Sequence, residues 1–375
     1  MSERRAPDPS IAIDLSRRKT RQVVRASLGV AQRVAAPYVT MTRIALRQLA
    51  RDRLARAGAL VLACLALVAV FADVLASDLP LVCRWQGVVY VMPDVAHPAA
   101  LAELDAARME RERAPGDWAL PALVAHGPGR FDEPDKLRPP LTPGHPLGTD
   151  ALGRDVFARV VHGTRTALGL GLAASLVLVA IGVALGGLAG FAGGVVDSIV
   201  ARAVESLTAI PTLVLVLVVG AIVPHPTTAT LLWTIALTRW TELARLVRAE
   251  VLRALGQDYV AAARALGASP TRVLARHVLP NAIAPAIVAA AFGVASVVLI
   301  EAAVDFLGAG ASETLASWGE SMGEARTHAE AWWLVVFPGL ALLATLVALH
   351  LVGEAARDAL DPRLRSASGE TGVGG

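Results

Sequence analysis

Groups that could do chemistry are few in this chain and poorly spaced for catalysis. Lys19 and Lys136 are the two lysines, and neither follows a glycine, so a GxxxxGK[ST] phosphate loop is absent. Cys64 and Cys83 offer no disulfide framework, no CxxC and no Cys/His metal spacing, and the eight histidines show no ligand spacing along the chain. His350 sits inside an apolar run and reads as a hydrogen-bonded packing residue. Two sets of charges stand out. Arg239, Glu242 and Arg245 recur every three residues, which puts Glu242 within reach of both arginines on one helical face. They read as an interfacial ladder near the inner end of a span, with a substrate path as the functional alternative. Glu301 and Asp305 close another apolar run. They read as acids capped at the outer boundary, with a translocation or gating role as the alternative.

The elements that must carry these groups follow from composition. Of 375 residues 55% are hydrophobic and 18% charged, and the mean hydropathy is +0.55. That balance is too apolar for an ordinary soluble domain, and the long unpunctuated apolar runs exclude disorder and coiled coil. A membrane helix needs roughly 20 mostly apolar residues. Six stretches qualify: 57–76, 166–196, 206–223, 227–246, 279–300 and 332–352. The expected fold class is an all-α membrane protein with six transmembrane helices.

Orientation follows from basic residues. Residues 1–56 carry thirteen Lys/Arg against four acids, and 239–276 carry seven Arg. With the tail arginines Arg357, Arg363 and Arg365 these belong on one side, so both termini are expected in the cytoplasm. The arm lacks aromatic interleaving, which argues for anionic lipid and against nucleic acid. It also lacks a short apolar core with a cleavage site, so the first apolar helix stays as an anchor. The stretch 78–148 is too long for a simple loop and should form a small mixed external insert. Within it β-formers at 81–85 and 88–91 flank Gln86-Gly87, a hairpin signal, and 99–113 reads as a polar helix. Glycines 182, 186, 187, 190, 193 and 194 on the second span suit close helix approach, within this chain or with another, or bending.

Between spans four and five the sequence spells helix, break, helix. Residues 257–266 form a short helix ended by Gly267, Ser269 is an N-cap with Pro270 at the first helical position, and Pro280 opens span five. Ala261, Ala262 and Ala263 leave a low-profile surface beside Tyr259 and Leu266, suited to a groove on another protein; an amphipathic connector lying on the membrane is the plainer reading. This run resembles the EAA loop of ABC-importer permeases, matching at Ala262, Ala263, Gly267, Leu279 and Pro280, with Ala261 where that family usually carries Glu. Three further blocks resemble the dipeptide, oligopeptide and nickel group of that family: 145–168 (HPLGTDALGRDVFARVVHGTRTAL), 301–310 (EAAVDFLGAG) with Ser317-Trp318-Gly319, and 337–365. SDLPLVC followed by RWQGVVYV resembles the enlarged external loop of an oligopeptide and microcin-type subgroup.

The resemblance implies the type I ABC-importer permease fold. The chain then divides into a basic arm with an interfacial elbow helix (1–56), a first span (57–77), the external insert (78–148), a permease core (149–353) with its coupling loop (250–278), and a cytoplasmic tail (354–375). It further implies an inner-membrane subunit for import of peptides or similar small solutes. The partners implied are two ATPase subunits, a second related permease and an extracytoplasmic binding protein. ATP and Mg would sit on the ATPase subunits, leaving no cofactor, metal or catalytic residue here. Tyr259, Ala261, Ala262, Ala263, Leu266, Gly267, Leu279 and Pro280 would couple to an ATPase. A self-sufficient ion-driven transporter is the rival, but it would need a midplane relay or an internal repeat, and neither is found. A membrane enzyme lacks any paired catalytic constellation.

Overall fold

The computed structural model describes residues 52–360, apart from 102, 103, 105, 113, 132 and 311–315. The basic arm and most of the predicted elbow helix lie outside the described residues, as does the tail beyond Leu360. Six long helical stretches dominate. Helix α1 (Arg53–Val70) begins where the Asp52 carboxylate accepts from the Leu54 amide, so residues expected in the elbow already belong to the first span. Helix α2 (Val156–Ala192) is 37 residues long, about 55 Å at 1.5 Å per residue, so much of it extends beyond a bilayer core. It starts ten residues before the predicted span because Asp155 caps it, accepting from the Ala158 amide at 2.8 Å. It stops before the predicted end because Gly193 and Gly194 both take positive φ, +63° and +53°, which breaks the helical run.

The predicted third span is not one helix. Helices α3 (Gly194–Thr208) and α4 (Thr212–Ile222) meet at 78°. Pro211 at the break has no amide to continue the hydrogen-bond ladder. Helix α5 (Thr228–Leu255) opens with a reciprocal capping box between Thr227 and Thr230 and runs nine residues past the predicted end. Among the described residues four helices are individually long and apolar enough to cross a membrane, α1, α2, the apolar part of α8 (Leu279–Phe306) and α10 (Trp333–Leu360), and the bent α3–α4 pair makes five. The α5 helix falls short on apolarity because of Arg239, Glu242, Arg245, Arg248 and Glu250, so length and composition alone pick out four to five of the six expected spans.

The α5 helix forms the centre of the bundle: Ile235, Ala236, Val247 and Val251 are fully buried in the main apolar cluster. It lies hard against α2, where a Cβ on Gly186 would collide with the Ala244 backbone and one on Gly190 would come within 2.9 Å of the Arg248 carbonyl oxygen. Internal packing therefore explains those two glycines, and bending explains Gly193 and Gly194. Arg248 donates two hydrogen bonds to Asp197 at 2.5 and 2.7 Å, tying α5 to α3.

The insert contains a three-stranded antiparallel sheet in the order β2–β1–β3: β1 (Val82–Trp85), β2 (Val88–Val91) and β3 (Trp118–Leu120). The hairpin forms around Gln86 and Gly87, both at positive φ, as a two-residue loop of the primed kind demands. The third strand is unforeseen, since three residues carry too little pattern to read. The expected 99–113 helix is a 3-10 turn (Ala99–Leu101) and a short helix (Ala106–Arg111).

Candidate functional site

Three places concentrate features that packing alone does not explain. The first is the loop after α5. Helix α6 (Asp258–Ala265) ends in a Schellman motif: Gly267 at φ +80° donates to the Arg264 carbonyl at 2.9 Å, and Ala268 donates to that of Ala263 at 3.1 Å. Ser269 then caps α7 (Pro270–Val273), with Pro270 in the first turn. A π-helical stretch (Leu274–Val278) follows and leads without interruption into α8 (Leu279–Phe306). The wider turn makes room for Pro280, whose ring would otherwise crowd the carbonyl four residues back.

One face of α6 is buried and the other is bare. Val260 and Ala263 pack inward, whereas Ala261, Ala262, Arg264, Ala265 and Leu266 face out, Leu266 with 88% of its surface exposed. Tyr259 is half-buried and accepts from Asn281 at 3.3 Å. Burial pushes its phenol above the ordinary value, while Asn281 and Arg253 pull the other way. Leu279 and Pro280 are half-buried at the head of α8. Of the alanines expected on the low-profile surface, two present it, and Ala263 anchors the helix from below.

The second place is midway along α5. Arg239 donates to Glu242 at 2.9 Å, and the pair lines a cavity of about 240 Å³ with Leu178, Phe292 and Ser296. Because α5 runs to Leu255, Arg239 is eleven residues from its start and sixteen from its end. The pair therefore lies near the middle of α5, which continues nine residues beyond the predicted span. Glu242 keeps 55% of its side chain exposed. An exposed carboxylate within a membrane bundle cannot face hydrocarbon cheaply, so this side of α5 suits contact with water or protein.

The third place is the opposite end of the bundle from α6. Helix α9 (Trp318–Glu324) wedges between the start of α2 and the end of α8. Trp318 donates its indole N–H to the Val160 carbonyl at 3.0 Å, and Gly319 leaves so little room that a Cβ would strike the Ala302 carbonyl. Arg154 and Arg159, both 1% exposed, join α9 to the start of α2. Arg154 pairs with Asp150 at 2.6 Å, with Glu320 at 3.1 Å and with Glu324. Arg159 pairs with Glu320 at 2.7 Å and donates to Ser321 at 3.3 Å. Burial alone would lower the Arg154 guanidinium, yet Asp150, Glu320 and Glu324 hold it above its ordinary value. Burial and the Asp150 charge raise the Glu324 carboxyl against the pull of Arg154 and Arg159. Glu301 is 2% exposed and accepts from Ser317 at 3.1 Å. One oxygen of Glu301 and one of Asp305 have no hydrogen-bond partner.

Comparison with known proteins decides the family. Residues 182–366 match the model for the binding-protein-dependent transport system inner membrane component, and residues 40–81 match the N-terminal TM domain of oligopeptide transport permease C. The di/tripeptide transport system permease protein DppC of Pseudomonas aeruginosa is 39% identical over 223 residues, 59% of this chain and 73% of the relative. The dipeptide transport system permease protein DppC of Haemophilus influenzae is 36% identical over 251 residues, 65% of this chain and 85% of the relative. The oligopeptide transport system permease protein OppC of Bacillus subtilis is 36% identical over 227 residues, 60% and 74%. The chain belongs to the family of binding-protein-dependent transport inner-membrane components.

As a permease of this family the chain is a transport component and not a catalytic enzyme. Its matched region starts at Gly182, within α2, and includes the α6 loop, the Arg239–Glu242 cavity and α9. Sequence reasoning brought out the α6 loop, Glu301 and Asp305. It missed the Arg154–Arg159 network, for which the only trace was Asp150 and Arg154 four residues apart in the HPLGTDALGRDVF block.

Proposed function

We propose that the chain is one of two permease subunits of an ATP-driven importer of peptides or similar small solutes. The observation that carries this reading is the bare face of α6. Ala261, Ala262 and Leu266 are left uncovered by a bundle that buries the other side of the same helix. An exposed, capped short helix between two long helices is a rigid part that can seat in a cleft and pass on displacement. Two cytosolic ATPase subunits, which hold ATP and Mg, are the proposed motor, one of them receiving α6. The α6 side is then cytoplasmic, as the arginines of the 239–276 segment support, and the membrane is the bacterial inner membrane with both termini inside. A solute-binding protein delivers cargo at the α9 end, and a second, related permease completes the path. Ala261, lacking a carboxylate, gives the contact less polarity than a Glu would.

Peptide cargo is supported by the relatives, which are di/tripeptide, dipeptide and oligopeptide transport system permeases. Cargo passes along the α5 side that carries Arg239 and Glu242. Glu301 and Asp305, seated under α9, serve as a gate element more than as cargo ligands. The test is uptake of a labelled dipeptide into proteoliposomes holding the purified assembly and its binding protein. Uptake that requires internal ATP and survives ionophores supports the reading. Uptake that ignores ATP and stops when the ion gradient collapses favours an ion-driven transporter instead.

A further inference from the structure

Where the 78–148 insert meets the head of α2, three metal-capable side chains converge from separate segments. His126 and His145 belong to the insert, His145 to the turn-rich stretch at its end, and Asp155 is the cap of α2. One ligand atom from each lies within 4.8 Å of the others. The two imidazole rings are 4.4 Å apart, and His145 Nδ1 is 2.8 Å from the Asp155 carboxylate. His145 is 3% exposed and Asp155 1%. A further carboxylate, from Asp135, is 3.6 Å from His145 Nε2.

The framework around these groups is fixed from several sides. The second Asp155 oxygen accepts from the Ala158 amide. The amide of Gly127, next to His126, donates to Asp78 at 2.7 Å. The amide of Val156, next to Asp155, donates to the Gly148 carbonyl at 3.0 Å. The side chains are thus held by backbone that does not need a metal to form.

We propose that His126, His145 and Asp155 form a binding site for a divalent transition cation of the zinc kind. Two imidazole nitrogens and one carboxylate oxygen are the ligand set that zinc and its neighbours take, whereas calcium and magnesium prefer oxygen alone. Ligands about 2 Å from a zinc ion stand roughly 3.3 Å apart in a tetrahedron, so this cluster closes on an ion with side-chain rotation only. Three protein ligands leave a fourth position for water. The bound ion would bolt the insert to the head of α2, beside the Arg154–Arg159 network. This inference does not depend on the nature of the cargo or on the ATPase partner.

The test uses the full chain, purified with whatever subunits accompany it, with no histidine tag, stripped with chelator and titrated with cobalt(II) as a spectroscopic probe for zinc. One equivalent per chain should bind and give tetrahedral d–d absorbance that zinc abolishes. His126→Ala, at a half-buried position, should weaken binding at least tenfold while the chain stays monodisperse. Asp155→Asn, whose amide oxygen still caps α2, should also weaken it, and the exposed His97→Ala should leave it unchanged. Absence of the tetrahedral band, or equal affinity in His126→Ala and the unaltered chain, would overturn the site.

Discussion

The two ends of the permease are built on opposite principles. At the α9 end the buried arginines are answered within the chain: Arg154 and Arg159 lie among Asp150, Glu320 and Glu324, and Trp318 and Gly319 fill the space between α2 and α8. At the α6 end the chain caps its short helices through Gly267 and Ser269 and leaves Ala261, Ala262 and Leu266 bare. A region that satisfies its own groups is rigid by itself. A region that satisfies its backbone but not its apolar side chains is shaped for a partner.

That contrast breaks first, if it breaks, at Arg154. Replacing it with Met strips the buried acids of their counter-charge, and removing one member of such a network costs about 3–5 kcal/mol. Thermal unfolding in detergent should show a large loss, whereas Ala262→Glu should leave the melting temperature unchanged. Next comes the α2–α5 contact. Gly186→Val drives two methyls into the Ala244 backbone and should cost at least about 1–3 kcal/mol of overpacking. At Gly169 a Cβ meets nothing, so Gly169→Ala should be tolerated in the same assay.

Smaller changes are expected in uptake without a change in folding. Proline cannot adopt the φ of +80° at Gly267 and has no N–H to donate to Arg264. Gly267→Pro should therefore cut ATP-driven uptake by about tenfold or more, equivalent to ~1.4 kcal/mol of lost coupling. Leu266→Ser should lower affinity for the ATPase subunit by about 1–2 kcal/mol, as expected for a single apolar anchor, and leave the isolated chain as stable as before. The smallest effect is expected from Glu242→Gln. An exposed pair with Arg239 contributes at most ~1 kcal/mol to stability, so the melting temperature should hold while the uptake rate changes. Equal stability losses for Arg154→Met and Leu266→Ser would remove the difference between the two ends.

How much of this was legible in the sequence depended on the range of the interactions. The α6 loop was legible almost residue by residue, because caps, proline and glycine act over four residues, and Gly267, Ser269 and Pro270 take the roles their types dictate. The hairpin at Gln86-Gly87 was legible for the same reason. The bend between α3 and α4 was not: the apolar run continues from the end of α3 across Pro211 into α4, and hydropathy carries no direction. The length of α5 was underestimated because it is set by packing against α2, not by apolarity. The Arg154–Arg159 network and the His126–His145–Asp155 cluster join residues from distant segments, and no local spacing announces them.

The central claim is that α6 seats in an ATPase subunit on the cytosolic side. With Cys64 and Cys83 replaced by Ser, a single cysteine at Ala262 should crosslink to the ATPase subunit in inside-out vesicles and be shielded from a membrane-impermeant maleimide while the two are docked. Labelling of that cysteine from outside intact cells, with no crosslink to the ATPase, would contradict the account.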